Sequence, residues 1–142
     1  MLNITIEEIK LASKIVKNKN LPRCVKKLSN ESDYNCWGFT AWSLKLVKRL
    51  YWISNSRMEE ILDELTEPTD NPKPGDIVVY RTDFFGEKNY LMHTAIVTDP
   101  KRELMIHKDG GDPLEFSMID NTVYTGNPKY DNPTVKFRKV KK

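Results

Sequence analysis

The stretch Asp33-Tyr34-Asn35-Cys36-Trp37-Gly38-Phe39 decides how this chain is read. Asp33 and Asn35 are helix-capping residue types, and after them Phe39, Trp42, Leu46 and Leu50 recur at steps of three and four. The pattern predicts a helix over residues 36–51 with Lys45 and Lys48 pointing outward. Cys36 then stands at the top of the buried stripe, at the helix start. A helix N-terminus together with a neighbouring imidazolium lowers a thiol pKa from about 8.5 toward neutrality. The two histidines of the chain, His93 and His107, lie downstream in segments that read as adjacent strands. A cysteine at a helix start and a histidine on a strand are the parts of a thiol nucleophile and its base.

Working outward, Thr5-Ile6-Glu7-Glu8 has capping-box spacing, and Ile6, Ile9, Leu11 and Ile15 carry a first helix to about Asn18. Ser56 is expected to cap a further helix that runs to Leu65 and contains Met58, Ile61 and Leu62. Pro68, Pro72 and Pro74 end the helical region, and Pro74-Gly75-Asp76 predicts a tight turn into a strand at 77–80. Strands are expected at 91–98, 103–107 and 134–140, with a short one at 114–116. The stretch 108–133, rich in Gly, Pro, Asn and Asp, is long for a plain connection and reads as a substrate-facing loop. Helices first and a sheet afterwards indicate an α+β fold, in one domain of 142 residues.

Alternation places Leu91, His93, Ala95 and Val97 on one strand face, and Glu103, Met105 and His107 on one face of the next. A hairpin turning about Pro100 sets His93 directly opposite His107, with Cβ atoms about 5 Å apart. A slip of one residue would send the two rings to opposite faces. In the expected register Cys36 is the nucleophile, ion-paired with His93, and His107 holds the far nitrogen of His93 and fixes its tautomer. The backbone N–H of Cys36 is the expected oxyanion donor, with Tyr34 or Asn35 beside it. Gly38 is expected to admit a substrate backbone or a strand.

Composition narrows the function classes. A net charge of +3 with 30% charged residues is too weakly basic to argue for nucleic acid. The terminal Lys136-Phe137-Arg138-Lys139-Val140-Lys141-Lys142 reads as a solvated strand, with attraction to an anionic partner as the alternative. No apolar run has the length of a membrane span, and the N-terminal residues do not read as a signal peptide. The expectation is therefore synthesis in the cytoplasm, followed by release through lysis or delivery by a secretion machine. Cys24 reads as a buried structural thiol, and both cysteines are expected to be unbridged.

Four blocks in order now carry a resemblance: Asn35-Cys36-Trp37-Gly38-Phe39, Pro74-Gly75-Asp76-Ile77-Val78-Val79-Tyr80, His93-Thr94-Ala95-Ile96-Val97 and Met105-Ile106-His107. They are similar to the blocks of the NlpC-type cell-wall peptidases and of their relatives, the CHAP amidases. The resemblance covers about residues 30–110 and implies a papain-like fold, with the Cys-bearing helix packed on an antiparallel sheet that holds the histidine and a third polar group. It also implies hydrolysis of an amide bond in a peptidoglycan stem peptide or cross-link. Where the NlpC-type pattern usually has Asp before the Cys and Ser after it, this chain has Asn35 and Trp37. Trp37 is bulky enough to reshape a substrate groove.

Other readings stand beside this one. Asp109 or Asp112 is an alternative third group to His107. A zinc site from Cys36, His93 and His107 has suitable ligand types but lacks a fourth; no metal and no cofactor is expected. The rival functions are an intracellular thiol hydrolase, deamidase or acyltransferase acting on a protein or small amide, and a non-catalytic binding module on the same fold. The expected partners are a peptidoglycan peptide or other amide substrate and a cognate inhibitor or immunity protein, with neither nucleic acid nor membrane.

Overall fold

The run Ile77-Val78-Val79-Tyr80 is apolar without alternation, the mark of a strand buried on both faces. In the computed structural model, which describes residues 6–16, 34–84, 86–108, 114–119 and 131–141, it opens the central strand. The helices come first: α1 (Ile6–Val16), α2 (Cys36–Ser43) and α3 (Asn55–Leu65). Six strands follow: β1 (Thr66–Thr69), β2 (Ile77–Phe84), β3 (Glu87–Asp99), β4 (Leu104–Lys108), β5 (Leu114–Met118) and β6 (Asp131–Val140). They form one sheet in the order β1-β6-β2-β3-β4-β5, each pair antiparallel. This is the α+β arrangement that the sequence predicts.

Two apolar layers flank the sheet. On one side Ile77, Val79 and Leu91 pack with Ala41 of α2, with Ile53, and with Met58, Ile61 and Leu62 of α3. On the other side Val78, Tyr80, Ala95, Val97, Met105 and Ile119 form a second cluster, joined by Val135 and Phe137 of β6. Leu91 therefore leaves the face of Ala95 and Val97, contrary to simple alternation. The cause is a bulge: Tyr80 pairs with His93 but Arg81 pairs with Leu91, so Met92 is an extra residue that turns Leu91 over.

The helix boundaries differ from the sequence reading in instructive ways. α2 stops at Ser43, not near Tyr51. Lys45 takes φ 61, its N–H donates to the Trp42 carbonyl, and the Leu46 N–H donates to the Ala41 carbonyl. This is a Schellman ending built on lysine where glycine is usual, so the sequence carries no stop signal. α2 is also buried on most sides, at Cys36, Gly38, Phe39, Thr40, Ala41 and Ser43, not along one stripe. For α3 the cap is Ser54, whose hydroxyl accepts from Arg57 N–H, two residues before the expected Ser56. In α1 it is Ala12 that is buried, while Leu11 faces solvent.

β1 was not expected. It is an edge strand pairing with β6 alone, the position in which a sheet tolerates Pro68. β6 is the expected terminal strand, with Lys136 and Lys139 exposed, and it lies between β1 and β2. Its Arg138 donates to the Thr66 hydroxyl and to the carbonyls of Leu62 and Thr66, tying the end of α3 to the sheet. Lys139 pairs with Glu67. The supposed loop 108–133 contributes β5, and what lies around it at 109–113 and 120–130 is outside the described residues, as are Cys24, Asp109 and Asp112. Among the described residues no helix is long and apolar enough to cross a membrane.

Candidate active site

The start of α2 is built around Asn35. Its side-chain oxygen accepts the Gly38 N–H at 2.9 Å, which caps the helix, and also the Ile53 N–H at 3.2 Å. Its Nδ2 donates to the Ile53 carbonyl at 2.7 Å. One buried amide thus holds the first turn of the helix and satisfies both backbone groups of a residue eighteen positions away. The same crossing explains Gly38: a Cβ there would lie 2.0 Å from the Tyr51 carbonyl oxygen. The backbone that approaches Gly38 is therefore the chain's own segment, not a substrate.

These contacts hold Cys36, a reduced thiol only 8% exposed, at the first position of α2. One turn further on, the Thr94 hydroxyl donates to the Thr40 hydroxyl at 2.9 Å, fastening α2 to β3 next to His93. Tyr34 is almost fully buried. Trp37 is half-buried against the cluster of α3 and β2, with its indole N–H enclosed and lacking a hydrogen-bond partner. Its ring packs on that cluster while remaining partly exposed.

His93 and His107 are joined by a hydrogen bond between His93 Nε2 and His107 Nδ1 at 2.7 Å, the rings edge to face. They are not directly opposite. Ile96 pairs with Ile106 and Val97 with Met105, so the continued register sets His107 against Ala95 and leaves His93 diagonal to it. The turn is longer than Pro100 alone implied: Glu103 N–H donates to the Pro100 carbonyl, Glu103 takes φ 56, and β4 begins at Leu104. The displacement is two residues, and an even shift preserves the face. A second diagonal link carries the chain on, since His107 Nε2 lies 2.9 Å from Ser117 Oγ while His107 itself pairs with Glu115. Sequence reading missed Ser117; the signal was its polar place in alternation with apolar β5 residues, two positions from the partner of His107.

Burial sets the electrostatics. Complete desolvation pushes the His93 pKa well below its ordinary value of 6.5, and the neighbouring His107 lowers it further. His93 is therefore a neutral imidazole at pH 7, able to accept a proton, and the resting imidazolium expected beside Cys36 is opposed by burial. A depressed histidine pKa means that the unfolded chain binds more protons, so this part of the stability is full above about pH 6.5 and is lost as pH falls toward the folded pKa. Urea unfolding at pH 7, 6 and 5 is expected to show a decline of up to about 1.4 kcal/mol per pH unit that His93→Gln removes. An equal decline in the variant would refute the assignment.

The 2.7 Å contact also bears on zinc. Two nitrogens about 2.0–2.1 Å from one tetrahedral ion sit more than 3 Å apart, so this pair is bonded to each other and not arranged as co-ligands. A cleft of about 660 Å³, bordered by Lys73, Asp76, Lys139 and Lys141, lies elsewhere and is lined by none of Cys36, His93 or His107. No curated protein matches the chain. The sequence model of the NlpC/P60 family matches residues 27–129, which include Cys36, both histidines and Ser117. With a match over most of its length, and with the helix-borne cysteine and strand-borne histidines in the order that family requires, the chain belongs to the NlpC/P60 family.

Proposed function

We propose that this protein is a cysteine hydrolase that cleaves amide bonds of peptidoglycan stem peptides through Cys36, His93 and His107. Its family consists generally of cysteine peptidases and amidases, often acting on peptidoglycan. The observation that carries the reading is the buried His93–His107 hydrogen bond on the strands against which the helix opened by Cys36 packs. A histidine kept neutral by burial is a base ready to act.

In the proposed reaction His93 Nδ1 takes the proton of Cys36 as sulfur attacks the scissile carbonyl carbon. Charge developing on the carbonyl oxygen meets the backbone N–H of Cys36 at the positive end of α2. Collapse breaks the C–N bond, and His93 returns its proton to the leaving amine. A water deprotonated by His93 then attacks the thioester, releasing the acid and restoring the thiol. His107 holds the ring of His93 throughout. Asn35 acts by holding the helix start, since its amide is engaged by Gly38 and Ile53. Trp52, 55% exposed and adjacent in the chain to the clamped Ile53, presents an aromatic surface beside the helix start for a peptide to lie on.

Purified sacculi incubated with the protein are expected to release stem-peptide fragments, identified by mass. Cys36→Ala should suppress the release. Raising the salt should weaken it, because exposed Lys45, Lys48 and Lys136 favour an anionic polymer through screened attraction. Intact sacculi after long digestion with folded protein would refute the substrate and leave another amide in its place.

A further inference from the structure

We propose that the cleft at the end of α2 opposite Cys36 is a second binding site for peptidoglycan, one that holds carboxylates of its peptides; the proposal rests on the reading of peptidoglycan as the substrate. The cleft has a volume of about 660 Å³, enough for a short peptide segment. Its charged lining is Lys73, Lys139, Lys141 and Asp76, three lysines against one aspartate, for a net +2. One oxygen of that aspartate is committed to the Pro74–Gly75 turn, where Asp76 Oδ2 accepts the Lys73 N–H at 2.8 Å. Ile15, Leu44, Pro74 and Val140 supply the apolar part of the wall. A second hollow of about 470 Å³ shares Lys139, Val140 and Lys141 with the first and extends the surface to Glu67. Cations set among aliphatic side chains suit a peptide that carries carboxylates, and a charge that is modest over the whole chain is concentrated here.

The fold puts these groups together from three elements. Gly75 takes φ 94, and its missing side chain admits the Ile15 carbonyl, 3.3 Å from where a Cβ would stand, so the end of α1 forms one wall against the turn. Leu44, the C-cap of α2, forms another. The end of β6 brings Lys139 and Val140, with Lys141 just beyond it. Lys139 meets Glu67 at 3.4 Å in a half-exposed pair, a weak contact that an incoming carboxylate can replace. α2 has eight residues between Cys36 and its cap, so at 1.5 Å per residue the cleft lies about 12 Å from the nucleophile along the helix. At about 3.3 Å per extended residue, a peptide of two or three residues at Cys36 falls short of it. A cross-linked polymer reaches both places, and the second contact raises its effective concentration at the nucleophile.

Binding is separated from cleavage by using Cys36→Ala protein, which the proposed chemistry leaves unable to turn over. The probe is purified sacculi stripped of attached phosphate polymers, and the readout is the fraction of protein that pellets with them over a range of salt. Cys36→Ala protein is expected to pellet at low salt. Adding Lys73→Gln, Lys139→Gln and Lys141→Gln is expected to weaken binding about tenfold and to flatten its salt dependence. Adding Lys10→Gln, Lys88→Gln and Lys101→Gln instead removes the same charge from exposed positions outside the cleft, and should weaken binding less than about twofold. Urea unfolding confirms that each variant is folded. Equal losses in the two triple variants would overturn the proposal in favour of diffuse attraction. Pelleting that requires the phosphate polymers, or no pelleting at low salt, would overturn it as well. If Cys36→Ala protein binds through the cleft lysines while the wild type leaves sacculi intact, the binding site stands and the catalytic reading falls.

Discussion

Replacing Cys36 by alanine is expected to lower turnover by about ten-thousand-fold or more, because the proposed reaction has no other atom able to form the thioester. Stability should hardly change, since a methyl group stands where a buried thiol was. His93→Ala should lose a comparable amount, as the thiol then has no base and the leaving amine no acid. His107→Gln should keep a measurable fraction, because an amide oxygen can still accept from His93 Nε2 and hold the ring. The check is steady-state hydrolysis of a stem-peptide substrate, with unfolding curves confirming that each variant is folded. Turnover of Cys36→Ala within tenfold of wild type would remove the nucleophile assignment altogether.

Gly38→Ala should be among the most destabilising single substitutions in the chain, at about 3 kcal/mol or more. The added Cβ meets backbone, the Tyr51 carbonyl oxygen at 2.0 Å, and no side-chain rotation relieves that clash. Moving the segment away breaks the bonds of Ile53 to Asn35, and those bonds also hold the cap of α2. The variant should therefore be impaired in activity as well as stability, through a displaced Cys36. The measurement is a fall in the urea midpoint at unchanged slope. A loss below 1 kcal/mol would mean that the crossing of residues 51–53 over α2 is looser than the geometry implies.

What could be read from the chain was what local chemistry controls. A cap at Asn35 or Asp33 for the Cys36 helix follows from residue type beside an apolar pattern, and the structure shows that it is Asn35. The Pro74-Gly75 turn was legible because proline presets one backbone angle and glycine accepts φ 94 at the next; the Asp76 N–H closes it on the Lys73 carbonyl. The strand at Ile77 was legible from its uninterrupted apolar run. By contrast, the end of α2 was hidden because Lys45 adopts a left-handed angle that its residue type does not announce. β1 was hidden because Pro68 argues against a strand except at an edge, and being an edge is a property of the whole sheet.

The candidate site divides along the same line. The sequence by itself determined that a cysteine opens a helix, that two histidines lie on neighbouring strands, and that they share a face, since period-two alternation survives any even shift of register. Only the tertiary structure decided that the histidines meet diagonally, that Ser117 lies within hydrogen-bond distance of His107, and that Asn35 and Gly38 serve the crossing of residues 51–53. It also decided that His93 is buried deeply enough to stay neutral. Capping, turns and alternation depend on residues within a few positions of one another. Register, burial and close backbone approach depend on groups far apart in the chain, whose distances exist only once the sheet has closed around them.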